Sequence, residues 1–386
     1  MDCLNYCRPI LSNYYSPRQA KDMHTVRSSK IVSFTESSAT NSIFGQADGL
    51  GGVDLHFRSD PRLGLRAIIA IHNTRLGRAL GGTRCRRYLS EIQAIDDVMR
   101  LAQGMSYKSA FASLPYGGGK AVLIRPETLA DREAYFEGFG EFVDSLNGHF
   151  VTAVDVGTDV SDMDVIARKT EFVMSTSANS GDPSLHTAQG VLNGILAAVY
   201  VRLKRHDLES VSVAIQGLGK VGLSLARLLH KRGANLLVND LDRNLMQRCV
   251  DEFGATPVAT NEIITKNCDV LAPCALGGII DNRSLTSIRA KIICGSANNQ
   301  LAQEQHGDWL FSKNIYYVPD YVVNAGGLIH LCFGSSTETE KRIAAIYDSV
   351  ADLFERSQAC HRPSHRIANE LAEQRLSNSG SAHVTA

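Results

Sequence analysis

Two lysines flank a run of three glycines, in Gly104-Met105-Ser106-Tyr107-Lys108 and Gly117-Gly118-Gly119-Lys120. The glycines predict a tight turn between a helical pattern that ends near Lys108 and the apolar run Ala121–Ile124, so that both ammonium groups enter one pocket. Two crowded cations depress each other's pKa, and burial depresses it further. An amine tuned towards neutral pH serves as a general base, while a charged neighbour holds a carboxylate. Taken alone, a lysine pair is more often simply solvated. Asp155, at the end of the apolar run Phe150–Val154, adds a carboxylate that by itself would read as structural.

A second constellation lies in Gly217-Leu218-Gly219-Lys220-Val221-Gly222. It follows the β-branched run Val211–Ile215 and opens a helical stripe through Leu225, Leu228 and Leu229, the context a dinucleotide fingerprint requires. The first two glycines permit the turn and the approach of a pyrophosphate. The third lets the helix pack closely, and the helix N-terminus offers N–H groups to the anion. Asp240 ends the next apolar run at the spacing of an acid that binds ribose hydroxyls. A carboxylate there repels a 2′-phosphate, which favours NAD over NADP.

The elements that must position these groups read as α/β. Leu65–Ile71 is a buried strand. Ser90 and Gln93 form a capping-box pattern before a helix through Ile95, Val98, Met99, Ala102 and Met105. A strand containing Val122 follows, then a helix striped with Phe136, Phe139, Phe142 and Val143, then the strand Phe150–Val154. Residues 175–184 have hinge composition. A second α/β pattern runs to Asn324-Ala325-Gly326-Gly327, beyond which the pattern is helical. The expected organisation is an N-terminal extension without fixed structure (1–40), a substrate domain (41–180), a Rossmann domain (181–327) and a C-terminal helical segment packing back on the substrate domain (328–386).

Composition narrows the partners. With 386 residues, 44% apolar content and a net charge of zero, the chain can fill a large core but offers no basic tract to nucleic acid or an anionic membrane. No apolar stretch approaches the roughly twenty residues of a membrane span. Nine cysteines, scattered without a CxxC pair, predict reduced thiols in a cytoplasmic compartment and no metal site.

From about Gly64 to Arg375 the chain resembles the leucine, valine and phenylalanine dehydrogenases, amino-acid dehydrogenases related to glutamate dehydrogenase. The resemblance runs through Ala79-Leu80-Gly81-Gly82-Thr83-Arg84, both lysine motifs and Asp155-Val156-Gly157-Thr158. It continues through Ala272–Gly278, Gly295–Gln300 and Pro319–Gly327. It implies a two-domain homo-oligomer with its site in the cleft, using NAD to convert an L-amino acid to a 2-oxo acid through an imino acid. It further implies that Lys108 grips the α-carboxylate with Asn298 and the backbone of Gly81 and Gly82. Lys120 would be the general base that activates water, and Asp155 would take protons from the amino group. Thr187, Ala275 and Asn298 would lie by the cofactor.

The family-equivalent pocket walls are Leu80, Ala153, Leu328 and Leu331, where a glutamate site would present a lysine and a hydroxyl. Burying a γ-carboxylate there costs several kcal/mol, so glutamate is disfavoured. Leu328 and Leu331 stand where leucine-active relatives carry valines, which points to valine or another short branched substrate. Val154 and His330 depart from the family pattern, and the stretch from Leu331 to Lys341 is shorter than it. That shortening keeps open a phenylalanine-type dehydrogenase or a catalytically weak NAD-binding regulatory paralogue. A hydroxy-acid dehydrogenase would need a His–acid pair, for which no motif is present.

Overall fold

The alternating apolar runs and amphipathic stretches form two sheets with helices against their faces. The structure, a computed structural model, describes residues 42–179 and 182–378; the extension expected at 1–40 lies outside the described residues. The first sheet contains β1 (Asp54–Asp60), β2 (Leu65–Asn73), β3 (Ala79–Arg86), β4 (Gly117–Ile124) and β5 (Phe150–Val154), in the order β1-β2-β4-β3-β5. β1, β2 and β4 are successively antiparallel, whereas β3 runs parallel to both β4 and β5. The helices of this half are α1 (Ile43–Gly49), α2 (Glu91–Phe111), α3 (Arg132–Asp144) and α4 (Val160–Ile166). Alternate strand residues feed opposite cores. Ala67, Ile69 and Leu123 meet Phe136 and Phe139 of α3, while Ile68, Ala70 and Val122 meet Val98 and Met99 of α2.

The glycines between the two lysines do not form the expected turn. The chain reverses over residues 112–116, and Gly117, Gly118 and Gly119 are the first residues of β4. The reason is close approach: a Cβ on Gly118 would stand 2.1 Å from the Ser106 amide nitrogen, so glycine lets α2 lie directly on the strand. Gly81 and Gly82 lie inside β3, and a Cβ on Gly81 would meet the Gly119 carbonyl at 1.8 Å. The capping box at Ser90 is half formed. Ser90 Oγ accepts from the Gln93 amide, but the Gln93 side chain accepts from Leu89.

The second sheet is wholly parallel: β6 (Ser212–Gln216), β7 (Asn235–Asn239), β8 (Thr256–Pro257), β9 (Val270–Pro273), β10 (Ile292–Ile293) and β11 (Tyr316–Tyr317). Its order, β11-β10-β9-β6-β7-β8, is that of a doubly wound dinucleotide fold, with the reversal between β6 and β9. Its helices are α5 (Ser184–Leu203), α6 (Lys220–His230), α7 (Arg243–Phe253), α8 (Asn282–Leu285) and α9 (Glu304–Ser312). The chain ends in α10 (Asp320–Val323), α11 (Gly326–Phe333), α12 (Thr337–Ala344), α13 (Ile346–Cys360) and α14 (Ser364–Asn378). Helices α11 and α13 pack mainly on α5, α12 packs on α11 and α5, and α14 reaches back to α2. The short Leu331–Lys341 stretch is a close connection: Gly334 turns the chain at positive φ, and Ser336 caps α12. No helix among the described residues is long and apolar enough to cross a membrane.

Candidate active site

Lys108 projects from the last turn of α2, Lys120 from β4, and Asp155 from the residue after β5. Packing α2 on β4 brings the lysines together, and the β4-β3-β5 order brings Asp155 to them across β3. Lys120 Nζ stands 3.1 Å from Asp155 Oδ2, and the Arg84 Nε of β3 donates to the same oxygen at 3.1 Å. Lys108 is 9% exposed and Lys120 3%. Among the described residues Lys108 makes no ion pair, although Asp320 and Asp155 are near enough to act on its charge.

Burial, ahead of the expected mutual repulsion, is what shifts both amines. It draws Lys108 down to about 8, opposed by Asp320 and reinforced by Lys120. It also lowers Lys120, with Asp155 opposing and Arg84 adding. Burial pushes Asp155 the other way, but Lys120 and Arg84 outweigh it and hold that carboxyl down at about 2. An ionised Asp155 bridging two cations and an amine eased towards neutrality are the electrostatics an acid–base site needs.

All of the expected substrate residues border one cavity of about 230 Å³. Lys108, Lys120, Asp155 and Asn298 give its polar side. Leu80, Ala153, Leu328 and Leu331 give its apolar side, with Gly81 and Gly82 between them. Asn298 Oδ1 accepts from Asn324 Nδ2 at 2.8 Å, which fixes the amide. His330 points elsewhere: its ring stacks on His186 with centroids 3.9 Å apart.

A larger cleft of about 820 Å³ adjoins this cavity, sharing Val154, Asp155, Thr187, Val221 and Asn298 with it. It is bordered by Gly219, Lys220 and Val221 at the start of α6, and by Ala275 beyond β9. Gly217, Leu218, Gly222 and Asp240 do not border it. Gly217 turns at φ +97° against Ala275, and a Cβ on Gly222 would meet the Gly217 carbonyl at 2.0 Å, so these glycines fold the turn itself. A Cβ on Gly219 would meet nothing within 4 Å, which leaves bare backbone for a ligand to approach. Asp240 Oδ2 accepts from the Leu218 amide at 2.5 Å and Oδ1 from the Asp242 amide at 2.8 Å. Lys220 pairs with Asp182 at 3.1 Å, linking the glycine turn to the start of α5.

Four residues of the site have no role in the sequence reading: Arg84, Asp97, Met105 and Asp320. Arg84 spans Asp155 and Asp97, donating to Asp97 at 3.0 and 3.2 Å, and Tyr88 donates to Asp97 at 2.6 Å. Met105 borders the 230 Å³ cavity. Asp320 is buried, which pushes its carboxyl up against the Gln300 amide and Lys108 that favour its charge. A signal for Asp97 exists in the sequence: with Leu101, Gly104 and Lys108 it recurs at helical spacing on one stripe. For Asp320 the only signal is an acid beside the apolar run Tyr321–Val323.

Two family models match the chain: "Glu/Leu/Phe/Val dehydrogenase, dimerisation domain" over residues 53–172, and "Glutamate/Leucine/Phenylalanine/Valine dehydrogenase" over residues 237–380. A leucine dehydrogenase of Geobacillus stearothermophilus is 45% identical over 327 residues, covering 83% of this chain and 89% of the relative. An L-tryptophan dehydrogenase of Nostoc punctiforme is 43% identical, covering 82% of this chain and 90% of the relative. The crystal structure of L-tryptophan dehydrogenase from Nostoc punctiforme superposes with a TM-score of 0.73 at 40% identity, over 88% of this chain and 100% of the other. With these matches spanning both sheets and the cleft between them, the chain belongs to the glutamate/leucine/phenylalanine/valine dehydrogenase family.

Proposed function

We propose that the chain catalyses the reversible, NAD-dependent oxidative deamination of a branched-chain or small apolar L-amino acid to a 2-oxo acid and ammonium. The observation that carries this reading is Lys108: a buried ammonium without an anion in contact, at the polar side of an apolar pocket that it shares with the Lys120–Asp155 pair. A buried cation left in that condition is stabilised by a ligand carboxylate. With the α-carboxylate on Lys108 and Asn298, the side chain lies among the leucines and the amino group falls to Asp155. The Asp155 carboxylate takes a proton from that amino group. Lys120 Nζ, eased towards its neutral form, takes a proton from the water that adds to the imino carbon and returns one to the departing amine.

The bare Gly219 and the first-turn amides of α6 suit a pyrophosphate, and Thr187, Ala275 and Asn298 suit the nicotinamide end. Each Asp240 oxygen keeps a lone pair for a ribose hydroxyl, and its charge disfavours a 2′-phosphate. NAD held there would supply the hydride acceptor for the substrate Cα. The apolar walls argue against glutamate, since among the described residues no cation faces the side-chain end of the pocket. In this reading residues 41–180 form the substrate domain, 181–327 the dinucleotide domain, and 328–386 the segment that ties them together. The protein assembles as a homo-oligomer in the cytoplasm.

The test is NADH formation with valine, leucine, phenylalanine, tryptophan and glutamate, alongside Lys120→Ala. Valine or leucine gives the highest kcat/KM, and Lys120→Ala lowers kcat by about 10²–10⁴ with NAD binding retained. Unchanged activity in that variant refutes the base assignment. Similarity to L-tryptophan dehydrogenase supports an aromatic substrate as the second reading, which phenylalanine or tryptophan ranking first would establish. NAD binding without turnover of any amino acid would favour a regulatory role.

A further inference from the structure

The reaction proposed above moves two small polar species per turnover: one water enters and one ammonia leaves. Leu80, Ala153, Leu328 and Leu331 wall the pocket on its apolar side, and the side near Thr187 and Val221 is where a nicotinamide would lie. Another side is open. Lys108, Lys120, Met105 and Asn298 also border a second void of about 20 Å³, enough for a single water-sized molecule. Its other walls include Asn299, Asp320 and Tyr321, which in turn border an open cavity of about 610 Å³ between α2, α9 and α14. That outer cavity carries Glu304, Glu370 and Glu373, which with Asp320 outnumber the Arg100 and Arg366 that also line it. Glu373 accepts from Tyr107 at 2.8 Å and has no ion-pair partner among the described residues.

Two features distinguish this void from a packing gap. Gaps in a core are apolar, yet this one is bordered by three ionisable side chains, Lys108, Lys120 and Asp320, each less than a tenth exposed. The second feature is Gly104, which also borders it, in the interior of the 21-residue α2. Glycine weakens a helix there relative to alanine. No neighbour demands it, since a Cβ would meet nothing within 4 Å, and its φ is not positive. A side chain at 104 would instead project on the stripe shared by Leu101 and Lys108, towards the chamber.

We propose that this chamber is a rear passage for ammonia between the reaction pocket and the outer acidic cavity, kept open by Gly104 and passing Asp320. The Lys108 ammonium beside it, with no ion-pair partner among the described residues, repels a cation, so nitrogen crosses as neutral NH₃. It gains its fourth proton from solvent beyond Asp320, where the carboxylates favour the ammonium formed. In the aminating direction the same path runs inwards, with the proton left outside.

The proposal rests on the deaminase reading, and one experiment separates the two. Reductive amination is measured with ammonium chloride, NADH and the 2-oxo acid of the best amino acid, for the wild type, Gly104→Ala and Gly104→Leu. Gly104→Leu lowers kcat/KM for ammonium about ten-fold or more, while KM for the 2-oxo acid and for NADH stays within about two-fold. Gly104→Ala, which strengthens the helix, gives a smaller change in the same direction without a lower melting temperature, so the loss is not unfolding. An ammonium kcat/KM in Gly104→Leu within about two-fold of wild type overturns the passage, as does a loss shared equally by all three substrates. A wild type that turns over no amino acid or 2-oxo acid removes the underlying reading, and the passage with it.

Discussion

Lys108 shows how a site is built against stability. Its folded value of about 8 lies below the ordinary 10.5, so between those pH values the unfolded chain binds more protons than the folded one. Wild-type stability therefore rises with pH across that window, and below it the buried charge costs on the order of 3 kcal/mol. Lys108→Met is expected to abolish turnover while raising the urea midpoint. Its advantage over wild type is greatest below pH 8 and shrinks as pH rises towards 10.5. A midpoint at neutral pH below that of wild type would contradict the unpartnered charge. Arg84 acts through Asp155. Burial works against the guanidinium's charge, but Asp155 and Asp97 more than offset it and keep it ionised. Arg84→Met leaves Asp155 with Lys120 alone, and kcat is expected to fall about ten-fold or more with KM for NAD unchanged. The pH–rate profile moves with it, because Arg84 is one of the charges that lowers Lys120.

At the scale of elements, α2 is the piece that has to be held. Its last carbonyls lack helical partners, and the C-terminal helices supply them. Arg342 of α12 donates to the Ala112 and Ser113 carbonyls at 3.1 Å, and Arg375 of α14 to those of Ala110 and Phe111 at 3.3 and 3.2 Å. Each guanidinium also covers an aromatic ring, Arg342 over Phe333 and Arg375 over Phe111. Positive charge at a helix C-terminus is favourable in addition. Arg342→Ala is expected to lower stability by about 2 kcal/mol, read from urea unfolding, and to raise KM for the amino acid because Lys108 sits on the last turn. An unchanged KM would uncouple the C-terminal helices from the site. The connection after Leu331 leaves this clamp in place, with Leu331 in the pocket wall and Arg342 one helix further on.

For the whole molecule, β1 is an edge strand with Phe57 more than half exposed, and Phe44 of α1 is 83% exposed. Both lie beside or within the matched segment described as a dimerisation domain. Exposed aromatics on an unpaired strand edge favour association. Phe57→Glu is expected to shift the species seen by analytical ultracentrifugation towards smaller assemblies, with the monomer's circular dichroism intact. A mass unchanged by that substitution would move the interface elsewhere.

Periodicity sufficed for the strands around Val122 and Val154, the helix ending near Lys108 and the strand–turn–helix at Gly217. Each of those depends on local alternation and on glycine or capping chemistry that a short window contains. The ordered motifs carried the identities of Lys108, Lys120 and Asp155. Gly117, Gly118 and Gly119 read as a turn because glycine's local meaning is flexibility. In the folded chain they admit α2 against β4, a contact set by residues distant in sequence. The Arg84–Asp155 contact spans 71 positions, and Asp320 acts on Lys108 from just beyond β11, the edge strand of the second sheet. What the sequence determined was which groups are present and on which elements. Only the tertiary structure decided that burial tunes the two lysines, that Arg84 holds the carboxylate, and that a water-sized chamber beside Gly104 leads out behind them. Desolvation and close approach are properties of packed surfaces, and no single segment contains them.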